Sequence, residues 1–199
     1  MDWKLTLQII GIILGLLYLW LEYRANIYLW VVGLVMPVVH GALYYKAGLY
    51  ADSSMQVYYV LAGLYGWLVW RNAPRKSKYI HITHTPSRLI LPLAGVYVAA
   101  HLTIYFVLVN FTNSTVPFWD SFTTALCIVA MWMLSRKYAE QWLVWLVVDV
   151  TTVGLYIYKD IPFTAGLYGL YSVLAVFGYF RWRRMIREDR AHRTALSQA

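Results

Sequence analysis

Seven runs of about 20 largely apolar residues, none with Lys or Arg in its interior, constrain this 199-residue chain more than any other feature. They fall near 5–21, 27–45, 52–70, 89–109, 117–134, 140–158 and 161–180. A helix of that length crosses ~30 Å of hydrocarbon, and in lipid the backbone must pair its own polar groups, so each run is expected to be helical. No polar stretch is long enough for a soluble domain. The expectation is one all-α membrane domain over 1–199, with seven transmembrane helices. Helices 1–3 take about 5–71, helix 4 about 89–109 and helices 5–7 about 117–183.

A net charge of +8 would suggest nucleic acid in a soluble chain. Here the basic residues lie between the runs, so the expected partner is membrane lipid and no nucleic acid is expected. Fourteen of the 17 Lys and Arg fall on one side: Arg24, the Arg71–Arg88 loop, Arg136 with Lys137, and the stretch after Phe180. Lys4, Lys46 and Lys159 fall on the other. The positive-inside rule then puts the N-terminus outside and the C-terminus in the cytoplasm. The first run lacks a basic n-region and a cleavage site and reads as a permanent helix. The sequons at Asn110 and Asn113 read as a polar outer loop, and the tail after Arg181 as a basic, solvated helix end. The lone Cys127 excludes an intramolecular disulfide and a multi-thiolate metal site.

The chain repeats at an offset of 112 residues. Trp20, Arg24, Trp30 and Tyr44 fall on Trp132, Arg136, Trp142 and Tyr156; Tyr59, Gly66, Trp70 and Arg71 fall on Tyr171, Gly178, Trp182 and Arg183. Helices 1–3 thereby map onto helices 5–7 in the same orientation, and helix 4 is left over. Such a 3+1+3 plan of parallel repeats is that of the SWEET carriers, with a site near the midplane between the halves. A duplicated bundle without a pathway is the alternative.

Asp149 lies mid-way along helix 6, where a charge costs ~2.5–3.5 kcal/mol to insert. No Lys or Arg lies at that depth, and His40 and His101 are the basic candidates. Such an acid is protonated, faces a water-filled cavity, meets a cation brought by a ligand, or serves as a polar contact between helices. Helical spacing aligns Trp142, Trp145, Asp149, Thr152 and Tyr156. Indoles followed by a carboxylate suit a flat cationic ring, by stacking, cation–π attraction and charge. Interfacial anchoring is the other reading of the indoles. The equivalent face of helix 2 carries Pro37, His40 and Tyr44, with Pro37 expected to kink that helix. Asp120, Thr123, Thr124 and Cys127 form a polar stripe on helix 5; Gln56 and Tyr59 on helix 3, and Tyr168, Tyr171 and Ser172 on helix 7, are further candidates.

No phosphate-binding loop, zinc-protease motif or nucleophile elbow appears, and helix 7 has no Lys for a retinal Schiff base. No enzyme activity, cofactor or metal is therefore expected.

These residues carry a likeness. The sequence resembles the PnuC family of bacterial vitamin transporters over nearly the whole chain. It is densest in Pro117-Phe-Trp-Asp120-Ser-Phe-Thr123-Thr124-Ala-Leu and in the stretch from Arg136 to Asp149. The family signature Trp-x-x-Trp-x-x-x-Asn or Asp falls on Trp142, Trp145 and Asp149. Gly48-Leu-Tyr50-Ala-Asp52 and Tyr65-Gly-Trp67-Leu-Val-Trp70 also look like the family. The resemblance implies a SWEET-like fold in the bacterial cytoplasmic membrane, passive uptake, and trapping by a cytoplasmic vitamin kinase. It also implies a homo-oligomer, a trimer. Members carry nicotinamide riboside, thiamine or riboflavin. Nicotinamide riboside carriers typically have Asn where this chain has Asp149, which resembles the thiamine branch. Thiamine is the substrate the resemblance implies, with nicotinamide riboside the alternative; both are flat cations, so electrostatics leaves both open. Proton coupling through Asp149 and His40, and a receptor or assembly subunit without turnover, are competing readings.

Overall fold

A computed structural model describes residues 3–46, 50–72 and 82–197. Among them the helices are α1 (Trp3–Tyr23), α2 (Tyr28–Lys46), α3 (Tyr50–Arg71), α4 (Ser87–Phe111), α5 (Pro117–Ser135), α6 (Gln141–Tyr158) and α7 (Pro162–Ser197). The architecture is all-α with seven helices, as the apolar runs require. α4, α5, α6 and the Pro162–His192 part of α7 are long and apolar enough to cross a bilayer. α1 and α2 contribute shorter apolar stretches, Ile12–Tyr23 and Tyr28–Ala42. Large apolar side chains stand exposed along these helices, Leu91 at 82% and Phe111 at 75%. Such continuous apolar surface is stable against lipid, not against water.

Helix ends follow local chemistry. Pro117 opens α5 at a position where a missing N–H costs nothing. α7 does not stop where its apolar run stops near 180. Residues 181–197 contain no Gly or Pro and are rich in Arg, so the backbone stays helical after the hydrophobic pattern ends. Pro37 lies inside a continuous α2.

The chain divides into two compact units, Met1–Ile80 and His81–Ala199. In the first, α2 packs on α1 and more extensively on α3. Glycines allow the approach: a Cβ on Gly33 would lie 2.8 Å from Cε2 of Tyr18, and Gly66 receives the indole of Trp30. In the second, α4 lies on α5, α5 on α6, and α6 on α7. α4 has no buried residue. The buried residues of this unit come from α5, α6 and α7, their connections, and Ile82 ahead of α4, with Leu134, Trp142 and Trp182 at 1% exposure or less.

Each unit contains the same local constructions at the 112-residue offset. The α1–α2 turn places Ala25 at φ 50°, and the α5–α6 turn places Lys137 at φ 59°. Asn26 N–H donates to Leu21 O at 2.8 Å, as Tyr138 N–H does to Met133 O at 3.0 Å. Trp30 meets Trp70 edge-on at 5.6 Å and 88°; Trp142 meets Trp182 edge-on at 5.9 Å and 88°. Arg24 caps the ring of Trp20 at 4.6 Å and Arg136 that of Trp132 at 5.7 Å. Arg71 on Trp67 has its counterpart in Arg183 on Tyr179.

Candidate functional site

The second unit gathers polar and aromatic groups around one carboxylate. Asp149 is buried, at 7% exposure, against a background of valine and leucine on α6. No hydrogen bond or ion pair holds it among the described residues. It lies within electrostatic reach of Cys127 on α5 and of Tyr168 and Tyr171 on α7. Three helices of this unit therefore converge on the acid. One turn before it, Trp145 is half-buried, with its indole Nε1 enclosed and unpartnered. On its other side Tyr156 stacks on Tyr168, centroids 5.5 Å apart and planes 19° from parallel. Tyr168 meets Tyr171 edge-on at 5.7 Å. A carboxylate removed from water without a partner favours an incoming cation, and the surrounding rings offer π faces to it.

Trp142 has other surroundings. It is 1% exposed, meets Trp182 edge-on, and lies so close to Gly178 that a Cβ there would sit 2.6 Å from its Cδ2. Its indole is part of the α6–α7 packing, like that of Trp30 in the α2–α3 packing. Helical spacing puts Trp142 and Trp145 on one face, but only tertiary contacts separate a packing indole from one beside the acid.

The α5 stripe is graded. Asp120 accepts a hydrogen bond from the Ser114 hydroxyl at 2.6 Å and lies 3.7 Å from Lys159 Nζ, so it ties the α4–α5 and α6–α7 connections together. The Thr123 hydroxyl donates to Trp119 O at 3.0 Å, and that of Thr124 to Asp120 O at 2.7 Å. Thr152 does the same on α6, donating to Val148 O. A hydroxyl used in this way keeps its acceptor capacity and gives up its donor. Further along the stripe stands Cys127, the α5 residue coupled to Asp149. A groove of about 560 Å³ lined by Trp119, Val150, Thr151, Gly154 and Tyr158 lies on a different face of α6, and no candidate residue lines it.

Four candidates belong to the first unit. His40 and Tyr59 are half-buried, and Tyr59 meets Tyr58 edge-on at 5.4 Å. Gln56 packs on α2: a Cβ built on Gly41 would lie 3.2 Å from its Cβ. The side chain of Tyr44 lies outside the described residues.

Sequence reasoning did not pick out Glu140 as more than a helix start. Its carboxylate accepts from Thr85 N–H at 2.7 Å and Thr85 Oγ1 at 2.8 Å, and lies 2.6 Å from His84 Nδ1. An acid at a helix N-terminus is ordinary in sequence, and nothing local announces partners 55 residues away.

Comparison with known proteins adds four findings. A family model described as nicotinamide mononucleotide transporter matches residues 5–184. The nicotinamide riboside transporter PnuC of Escherichia coli is 26% identical over 207 residues, covering 92% of this chain and 87% of that protein. The riboflavin/roseoflavin transporter RibM of Streptomyces davaonensis is 27% identical over 188 residues, covering 92% and 86%. The crystal structure of the vitamin B3 transporter PnuC matches with a TM-score of 0.70 at 22% identity, over 89% of this chain and 80% of that one, a likeness of fold.

Proposed function

The chain belongs to the nicotinamide mononucleotide transporter family, the PnuC family, and from that membership we propose that it carries a flat, permanently cationic vitamin, thiamine, across the bacterial cytoplasmic membrane by facilitated diffusion. The observation that carries this reading is Asp149, buried, without a hydrogen bond or ion pair among the described residues, and ringed by Trp145, Tyr168 and Tyr171. A neutral isoalloxazine would leave that carboxylate without a counter-charge. The Thr123, Thr124 and Thr152 hydroxyls already donate to backbone, so the site is richer in rings than in free donors. That balance suits the two aromatic rings of thiamine better than one ring and a ribose. Nicotinamide riboside is the second reading, favoured by the substrate in the E. coli relative's name.

In this reading all seven helices span the membrane as a 3+1+3 parallel repeat, supported by the matching turns and tryptophan pairs of the two units. The N-terminus faces out and the C-terminus in, and the protein works as a homo-oligomer. Rocking of one three-helix bundle against the other would expose the site alternately, and a cytoplasmic kinase would trap the product.

The test is quenching of tryptophan fluorescence in purified, detergent-solubilised protein by thiamine, nicotinamide riboside and riboflavin. Saturable quenching by thiamine alone supports the assignment. Quenching by nicotinamide riboside alone keeps the cationic-vitamin carrier and overturns the substrate. Quenching by riboflavin alone overturns the role of Asp149 as a counter-charge.

A further inference from the structure

The connection leading into α4 is bound to the α5–α6 turn of its own unit. Thr83 forms a parallel bridge with Tyr138. Thr83 N–H donates to Lys137 O at 3.1 Å, and Ala139 N–H donates back to Thr83 O at 2.9 Å. Ile82, next to it in the chain, is buried at 4% exposure. Glu140 then takes three contacts from the next two residues: Thr85 N–H, Thr85 Oγ1 and His84 Nδ1. An ionised carboxylate only accepts, so His84 carries its proton on Nδ1. Bonds of this kind to a charged acceptor are about twice as strong as neutral ones.

Among the described residues the construction has no counterpart in the other unit. The residue equivalent to Glu140 is Tyr28, 64% exposed, whose N–H is taken by Asn26 Oδ1 at 3.0 Å. α4 needs such a fastening, because it has no buried residue and Pro86 at its N-cap makes no side-chain cap bond. Farther along, α4 is held on α5 by rings: His101 meets Phe118 edge-on at 5.1 Å and Tyr97 meets Phe122 edge-on at 6.1 Å.

We propose that Glu140 is a positioning residue that clasps residues 83–85 to the α5–α6 turn, so that α4 moves as one body with α5–α7 when the carrier changes conformation. The leftover helix of the repeat is thereby assigned mechanically to the second half. This inference rests on the transport reading for its consequence, but the clasp itself does not.

Two measurements separate the parts. Hydrogen exchange of the full-length protein in detergent reads the clasp at the Thr85 and Ala139 amides. Glu140→Gln is expected to speed exchange there at least about tenfold, and His84→Ala to do so more weakly, as loss of bonds to a charged acceptor predicts. In liposomes, Glu140→Gln is expected to leave thiamine affinity within about twofold and to slow uptake by roughly threefold or more, because the lost function is a conformational step. His84 is an exposed side chain and keeps the test open if Glu140→Gln does not assemble. Unchanged exchange in both variants would overturn the clasp. Faster exchange with unchanged uptake would overturn its role in motion. Absence of uptake by the unaltered protein would sink the transport reading, and the role in motion with it, while exchange still reports on the clasp.

Discussion

Asp149 and the two signature tryptophans behave as three different residues. Asp149→Asn removes the charge and keeps the shape. Thiamine binding is expected to weaken by roughly tenfold or more, the scale of losing a hydrogen bond to a charged group. Fluorescence titration checks it, and undiminished affinity would remove Asp149 from recognition. Trp145→Phe is expected to weaken binding while leaving thermal stability near that of the parent. Gly178→Ala is expected to act the other way, lowering stability by about 1–3 kcal/mol, because a methyl there overlaps the Trp142 ring. Gly154→Ala is the control: a Cβ there meets nothing within 4 Å, and Ala favours the helix by ~1 kcal/mol. Melting of purified protein in detergent compares the pair. Asp149 was legible in sequence because an acid among valines is anomalous in any membrane helix. The division of labour between Trp142 and Trp145 was not, since both share a face and only the neighbouring helix decides which ring is closed in.

The elements were legible to within a few residues wherever hydrophobicity marks their ends, as in α5 and α6. α7 runs on to Ser197 because propensity continues where apolarity stops. The connections were less legible. The segment at 82–86 carries no hydrophobic pattern, yet it is fastened by a bridge and by Glu140. Loss of hydration pushes the Glu140 carboxyl up, but the bonds from His84 and Thr85 outweigh this and hold it below its ordinary value of 4.5. Its folded form is thus the more acidic one. The stabilisation is complete above the ordinary carboxylate value and disappears as pH falls through the folded one. Protection of the Thr85 and Ala139 amides is expected to persist through neutral and mildly acidic pH and to fail below the ordinary carboxylate range. Failure already near neutrality would mean that Glu140 is not what holds the clasp. Neighbouring Lys137, pushed down to about 8 by burial, keeps most of its charge across that window.

At the scale of the whole molecule, passive carriage predicts that thiamine enters liposomes containing only this protein and runs down its own gradient. The initial rate is expected to be the same with and without an imposed pH gradient. A rate that follows the pH gradient would replace facilitated diffusion by proton coupling. The sequence by itself determined the membrane class, the helix count, the 112-residue repeat and the anomalous acid, because all four depend on composition and spacing along one dimension. Tertiary structure decided the rest. It placed Cys127, Tyr168 and Tyr171 around Asp149, consigned Trp142 to the α6–α7 packing, and tied the connection into α4 to the α5–α6 turn through Glu140. Those outcomes depend on which residues distant in the chain meet, and periodicity within a single helix holds no information about the partner across the interface.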